Sequence, residues 1–186
     1  MPSDAIYAYP ADVFQFEPVT ERHLPMLRDW LSRPHVSEWW DDPDTEIDYI
    51  RDMLAGRDST RPFLFSLDGD ICGYIQYWFI GDAQTPEWIE KEPWLKDLPG
   101  DAVGIDLTIA DEDRLSGGMG SSVLHLFARR LADRGYKTII IDPDPANTRA
   151  VRAYEKAGFV ASFEHEGPEG RTLIMEFDKE RAGLPA

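Results

Sequence analysis

An apolar strand that runs into a glycine-rich turn, which then opens a helix, constrains this chain more than any other feature. Val103-Gly104-Ile105-Asp106-Leu107-Thr108-Ile109 is followed by Arg114-Leu115-Ser116-Gly117-Gly118-Met119-Gly120-Ser121. From Gly117 to Arg134 the apolar residues Val123, Leu124, Leu126, Phe127 and Leu131 recur at helical spacing, and Gly135 ends the run. The wholly apolar Thr138-Ile139-Ile140-Ile141 follows, a strand expected to be central and buried. A second helix is expected from Asn147 to Lys156, stopped at Gly158. Strand, helix and strand in this order make a β-α-β unit. Glycines in the connecting turn let the backbone approach a ligand closely and leave N–H groups unpaired. The helix dipole adds positive charge there, and the two effects together suit a pyrophosphate.

The rest of the chain supplies a different kind of sheet. Val13–Val19 reads as a first strand, and Thr20 as the cap of a helix through Leu24, Leu27, Trp30 and Leu31 that Pro34 ends. A helix from about Thr45 to Leu54 comes next. Residues 62–67 and 71–78 are strands joined by an Asp68-Gly69-Asp70 hairpin turn. Residues 81–101, with three prolines, two tryptophans and six acids, read as irregular. Two last strands, about 159–165 and 171–177, flank Gly167-Pro168-Glu169-Gly170. The order β-α-α-β-β-β-α-β-α-β-β predicts an α/β (α+β) domain: a mixed, mostly antiparallel sheet with helices on both faces. At 186 residues the chain is sized for one domain with a substantial core.

Charge and cysteine content narrow the function. A net charge of −16 argues against general nucleic-acid binding and against anionic membranes. The charge is uneven: residues 1–113 hold 25 acids and 8 bases, and residues 114–186 hold 10 and 11. One part is suited to a cation and the other tolerates an anion. Cys72 stands alone, so there is no internal disulfide, and no Cys/His cluster has zinc spacing. No metal is expected. Met1-Pro2-Ser3-Asp4 opens no leader, and no apolar run of membrane-spanning length occurs, so a cytoplasmic compartment is the expectation. His23, His35, His125 and His165 are isolated and read as structural, with His35 the one near the tryptophan pair.

The glycine turn is not a Walker A loop, because no Gly-Lys-Ser/Thr follows, and it lacks the acidic ribose partner of a Rossmann fingerprint. A second motif makes it specific. Asn147-Thr148-Arg149-Ala150-Val151-Arg152-Ala153-Tyr154-Glu155-Lys156-Ala157-Gly158-Phe159 begins 27 residues past Gly120. With both motifs present the chain resembles the GNAT acetyltransferase superfamily. The resemblance departs at Leu115, where the family's loop has Arg or Gln, and Arg114 is adjacent.

The resemblance implies a single GNAT-fold domain over 1–186, with a V-shaped splay in its sheet. Residues 1–113 would form mainly the acceptor side and 114–160 the acetyl-CoA-binding core. It implies acetyl-CoA as cofactor, its pyrophosphate on the amides from Gly117 through Gly118, Met119 and Gly120 to Ser121. Arg114, Arg149 and Arg152 would be candidates for the phosphates, Leu115 would belong to the cofactor-binding loop, and Asn147 would meet the pantetheine arm or simply cap its helix. Tyr154 would be the general acid for the departing thiolate, since a phenol is protonated at neutral pH.

Asp106 is an ionisable residue inside an apolar strand, where a carboxylate is costly unless paired or at a cleft. Period-2 counting sets Gly104, Asp106 and Thr108 on one face. In GNAT folds this strand splays from the next one and the acetyl group lies in the gap, so the resemblance implies Asp106 as base, directly or through water. It also implies a backbone N–H near Leu107 or Thr108 as the oxyanion donor, with Leu107, Thr108 and Ile109 counted among the cofactor-binding residues.

The acceptor is expected to be a cationic amine. Glu38-Trp39-Trp40-Asp41 puts two aromatics beside carboxylates, and Asp82 and Trp88 repeat that chemistry. Val36-Ser37-Glu38-Trp39-Trp40, Gly73-Tyr74-Ile75-Gln76, Gly104-Ile105-Asp106 and Asp142-Pro143-Asp144-Pro145-Ala146-Asn147 look like those of aminoglycoside 6′-N-acetyltransferases. That subgroup implies Trp40, Asp82 and Asp142 as substrate contacts and direct transfer in a ternary complex. Siderophore-biosynthesis acyltransferases acting on lysine or N6-hydroxylysine share the subgroup and are the alternative. A non-catalytic acetyl-CoA-binding module is the second alternative. Monomer and homodimer are both compatible with the sequence.

Overall fold

The strands expected from residue alternation form in the computed structural model, which describes residues 9–10, 13–168 and 170–182. They are β1 (Phe14–Pro18), β2 (Arg61–Leu67), β3 (Asp70–Phe79), β4 (Val103–Ile109), β5 (Ile139–Ile141), β6 (Phe159–Gly167) and β7 (Gly170–Phe177). They form one seven-stranded sheet in the order β1-β2-β3-β4-β5-β7-β6. β1 and β2 pair antiparallel from Phe14↔Leu67 to Pro18↔Phe63, and β2 and β3 pair antiparallel with a shift of register at Phe65/Ser66. β4 and β5 pair in parallel at Val103↔Ile139 and Gly104↔Ile140, as a β-α-β unit requires. β5 joins β7, and β7 joins β6, both antiparallel.

Seven α-helices lie between the described strands: α1 (Leu24–Leu31), α2 (Pro34–Ser37), α3 (Pro43–Leu54), α4 (Ile80–Ala83), α5 (Pro86–Lys91), α6 (Met119–Asp133) and α7 (Thr148–Ala157). Thr20 caps a 3₁₀ turn, Glu21–His23, rather than α1 itself. Pro34 both ends α1 and supplies the first turn of α2. α3 starts at Pro43, earlier than expected, because Asp42 caps it by accepting from the N–H groups of Asp44 (3.0 Å) and Thr45 (3.3 Å).

The chain divides into two compact units. One comprises Asp12–Tyr77 with Asp106–Leu115. Its core joins Leu24, Leu27, Trp30 and Leu31 of α1 to Ile47 and Ile50 of α3 and to Leu64 and Tyr74 of the sheet. Arg28 forks onto Asp44 at 2.6 and 3.1 Å, and Arg33 reaches Asp29 (2.8 Å), Asp111 (2.8 Å) and the Ala110 carbonyl (2.7 Å).

The other unit comprises Trp78–Ile105 and the chain from Ser116 onward. Here the segment 81–101, expected to be irregular, is folded. α4, α5 and a 3₁₀ turn at Pro93–Asp97 fill it. Pro86 and Pro93 start helical turns, where a missing N–H costs nothing. Trp94 is buried against Trp78 with ring centroids 6.4 Å apart, and Leu95, Ala102, Ile140 and Ile174 complete that core. Gln84 Nε2 donates to the carbonyls of Leu95 and Leu98, both at 2.9 Å. Trp78 also explains Gly104: a Cβ there would stand 2.3 Å from the indole.

Candidate active site

Asp106 lies on β4 and is half-buried. Period 2 on the neighbouring sequence Tyr74-Ile75-Gln76 of β3 sends Tyr74 and Gln76 to one face. The Tyr74 hydroxyl donates to Gln76 Oε1, and Gln76 Nε2 donates to Asp106 Oδ2 at 2.8 Å. The amide is thus fixed with its oxygen on the phenol and its nitrogen on the carboxylate. Tyr74 is buried, and burial pushes its phenol well above the ordinary value, with Asp106, Glu46 and Asp58 adding to the rise. It is therefore protonated at neutral pH and serves as a donor. A buried donor chain of this kind holds the carboxylate in one orientation.

Glu46 belongs to the same group of residues. It sits in the first turns of α3, and its Oε1 accepts from the Asp41 N–H at 3.3 Å. Burial pushes its carboxyl from 4.5 to about 7; the negative charges of Asp41 and Asp106 add to the rise, and the Asp41 N–H opposes it. Trp40 packs edge-on to Tyr74 with centroids 6.0 Å apart, whereas Trp39, Glu38 and Asp41 are exposed. Thr108 is buried and Leu107 half-buried. His35 donates from Nε2 to the Ile109 carbonyl at 3.0 Å, a structural bond that fixes the end of β4. Arg114, expected at phosphates, donates to Cys72 Sγ at 2.9 Å and lies 3.7 Å from Asp111, with Leu115 following it. These residues all belong to the unit built on β1, β2 and most of β3.

The second unit carries the glycine turn. α6 starts at Met119 with Gly118 as its cap, at φ 86°, and Ser116 is also in the left-handed region at φ 63°. A glycine cap has no side chain to satisfy the first N–H groups, and the first turn of α6 holds no acid. Ser121 Oγ turns back to donate to the Gly118 carbonyl at 3.0 Å. Ser122 Oγ is buried with no partner among the described residues. Gly117 and Gly120 flank this cap, and a helix N-terminus of this kind carries the partial positive charge that suits an anion.

α7 is capped by Asn147, whose Oδ1 accepts from the Ala150 N–H at 3.1 Å. Arg149 and Arg152 are exposed on it, and Tyr154 is half-buried. Gly158 ends the helix at φ 99°. His125 of α6, buried, donates from Nδ1 to the Ala157 carbonyl at 3.0 Å and so anchors the helix end that follows Tyr154. In the same unit, Asp142 follows β5 and is half-buried, Asp82 is exposed on α4, and Trp88 is exposed on α5 with Lys91 Nζ 5.0 Å from its ring centre.

The structure therefore groups Trp40 and Asp106 through Tyr74 and Gln76, and places Gly117–Ser121 at the start of α6 and Asn147, Arg149, Arg152 and Tyr154 at the start of and along α7, two helices joined by His125 and Ala157. Sequence reasoning gave no role to Tyr74, Gln76 or Glu46. Gln76 had a signal, a polar residue in an apolar strand; Glu46 had none beyond lying in an acidic stretch. Among the described residues, no group of three or more His, Cys, Asp or Glu side chains is arranged to hold a metal ion, and no helix is long and apolar enough to cross a membrane.

Comparison with known proteins identifies the family. A family model described as an acetyltransferase (GNAT) domain matches residues 19–167. An aminoglycoside N(6′)-acetyltransferase type 1 of Klebsiella pneumoniae is 33% identical over 165 residues, which cover 84% of this chain and 79% of that protein. A lysine N-acyltransferase MbtK of Mycobacterium sp. (strain MCS) is 26% identical over 196 residues, 98% of this chain and 77% of that one. Among solved structures, the aminoglycoside acetyltransferase AAC(6′)-Ib in complex with coenzyme A and kanamycin superposes with a TM-score of 0.76 at 28% identity, over 91% of this chain and 99% of that one. The same enzyme with paromomycin and acetyl-CoA gives 0.78 at 26%, over 92% and 97%. The α/β sheet, the glycine-capped α6 and the matched domain lead to one conclusion: the chain belongs to the GNAT acetyltransferase family, an acyltransferase with acetyl-CoA as its cofactor.

Proposed function

We propose that this enzyme acetylates a primary amine of a cationic small molecule, the 6′-amine of an aminoglycoside, by direct transfer within a ternary complex. The observation that carries this reading is Asp106, held by the Tyr74–Gln76 chain in a half-buried, acidic setting. Such a carboxylate attracts an ammonium group and takes its proton, which frees the nitrogen lone pair to attack. Bound acetyl-CoA supplies the activated acetyl group.

The chain's own residues do the rest. The amides around Gly117, Gly118, Met119, Gly120 and Ser121 hold the pyrophosphate, with Arg149 and Arg152 beside it. Asn147 keeps its Nδ2 for the pantetheine while Oδ1 caps α7. The backbone at Leu107, Thr108 and Ile109 orients the acetyl group, and Tyr154 gives a proton to the departing sulfur. Arg114 and Leu115 fix the entry to the loop, since the Arg114 guanidinium is engaged with Asp111 and Cys72. Trp40 offers an aromatic wall with Glu38, Trp39 and Asp41 next to it in sequence, and Asp82, Trp88 and Asp142 are the further residues assigned to the acceptor in this reading.

The reading treats residues 1–186 as one acetyltransferase domain. A lysine-directed acyltransferase is the second reading, favoured by the 26% identity that runs over 98% of the chain. The acidity around Tyr74 favours the polyamine.

The test is release of CoA thiol from acetyl-CoA with kanamycin, with lysine, with N6-hydroxylysine and with no acceptor. Saturable turnover on kanamycin is expected. Turnover on the lysine compounds alone would transfer the enzyme to the second reading.

A further inference from the structure

The acceptor residues include a carboxylate that the chemistry above leaves unused. α3 carries four acids beyond its cap: Asp44, Glu46, Asp48 and Asp52. Three have arginine partners: Asp44 with Arg28 at 2.6 Å, Asp48 with Arg51 at 2.7 Å and Asp52 with Arg57 at 2.5 Å. Asp44 and Asp48 are exposed and Asp52 is half-buried beside Arg57, and pairing at such positions contributes little. Glu46 is half-buried too, and among the described residues it has no cationic partner. Its Oε1 takes only the Asp41 N–H, at 3.3 Å.

The groups around Glu46 are known from each element. The loop before α3 contributes Asp41, β4 contributes Asp106, and β3 contributes the buried, protonated Tyr74, which also feels Asp58. Asp58 itself accepts from the Thr60 N–H at 2.7 Å and has no cationic partner among the described residues. Trp40 closes over Tyr74 at 6.0 Å. An inward carboxylate facing other carboxylates is costly. A cation brought by a ligand removes that cost.

We propose that Glu46 is a specificity-determining carboxylate of the acceptor site, pairing with an ammonium group of the acceptor other than the amine that Asp106 receives. The enzyme then selects acceptors that carry at least two amino groups. This rests on the reading in which Asp106 receives the reacting amine. It also has a proton consequence. Glu46 is about half protonated near neutrality in the free enzyme. An ammonium favours its ionised form, so acceptor binding releases part of a proton to the buffer.

The experiment compares wild type with Glu46→Gln on acceptors matched in pairs. Kanamycin is set against methyl 6-amino-6-deoxyglucoside, which has one amine, and lysine against 6-aminohexanoate. Calorimetry of kanamycin binding at pH 7, in phosphate and in Tris, counts protons released. The expected result is a rise of about tenfold or more in KM for the two-amine member of the accepted pair. Its kcat should fall less than about threefold, the one-amine member should keep its KM, and the proton release should vanish.

Equal KM changes on both members of a pair, a loss confined to kcat, or unchanged proton release would overturn the proposal. Turnover confined to the lysine pair would end the aminoglycoside reading, while the KM contrast between lysine and 6-aminohexanoate would still decide the role of Glu46. Absence of any turnover together with absence of proton release on kanamycin binding would overturn both.

Discussion

Glu46 makes the folded protein less stable as pH rises, and Glu46→Gln should remove that loss. In the folded chain its carboxyl titrates at about 7 rather than 4.5, chiefly because burial disfavours the charge. Between those two values the native state holds a proton that the unfolded chain has already lost. Unfolding therefore releases a proton, and stability falls through this window as pH increases. The sign is opposite to that of a salt-bridged carboxylate, whose contribution is lost on acidification. Each pH unit of separation is worth about 1.4 kcal/mol, so the complete passage from 4.5 to about 7 costs about 3 kcal/mol.

Gln is nearly isosteric with Glu, keeps an oxygen for the Asp41 N–H and cannot ionise. Urea denaturation of both proteins at pH 5 and pH 8 measures the difference. The stability of Glu46→Gln relative to wild type should be about 2–3 kcal/mol more favourable at pH 8 than at pH 5. An equal difference at both pH values, or one that shrinks at pH 8, would refute the assignment of a buried, proton-holding Glu46.

Three further outcomes are expected. Asp106→Asn preserves an oxygen for the Gln76 amide but loses the base, so kcat should fall by about 100- to 10,000-fold and the pH profile should flatten near neutrality; thiol release at saturating substrates measures it, and an unchanged profile removes Asp106 as base. Tyr154→Phe should lower kcat by about 10- to 1000-fold, and full activity would transfer the thiolate's proton source to water. Gly104→Ala places a methyl 2.3 Å from the Trp78 indole and should cost about 1–3 kcal/mol in urea denaturation; wild-type stability would show that Trp78 yields without cost.

The parts of this fold set by local rules were legible in the sequence. The glycine at the start of α6, the asparagine cap of α7 and the glycine at φ 99° behind it are properties of a few adjacent residues. So were the strands of the β1–β3 meander. The segment 81–101 was harder, because prolines that begin helical turns look the same as prolines that prevent them. What separates the two is the burial of Trp94 against Trp78, a tertiary contact.

Asp106 stood out as a charge in an apolar strand, and Gln76 could have been noticed for the same reason. Glu46 could not. Its α3 neighbours Asp44, Asp48 and Asp52 have the same composition, and only the packing of α3 against Tyr74 separates it from them. Arg114 shows the converse: a cation beside the glycine turn, but directed to Cys72 and Asp111.

The clasp that Gln84 makes on the carbonyls of Leu95 and Leu98, with Trp94 as its anchor, separates two kinds of position within one short segment. Inward residues hold the shape; Asp82, Glu87, Trp88 and Glu90 project outward and carry little of the folding energy. Substitutions at those outward positions are nearly free for stability while they change the charge and aromatic surface presented by the segment. If the segment borders the acceptor as proposed, selection can vary the enzyme's acceptors there quickly, because each trial leaves the enzyme folded.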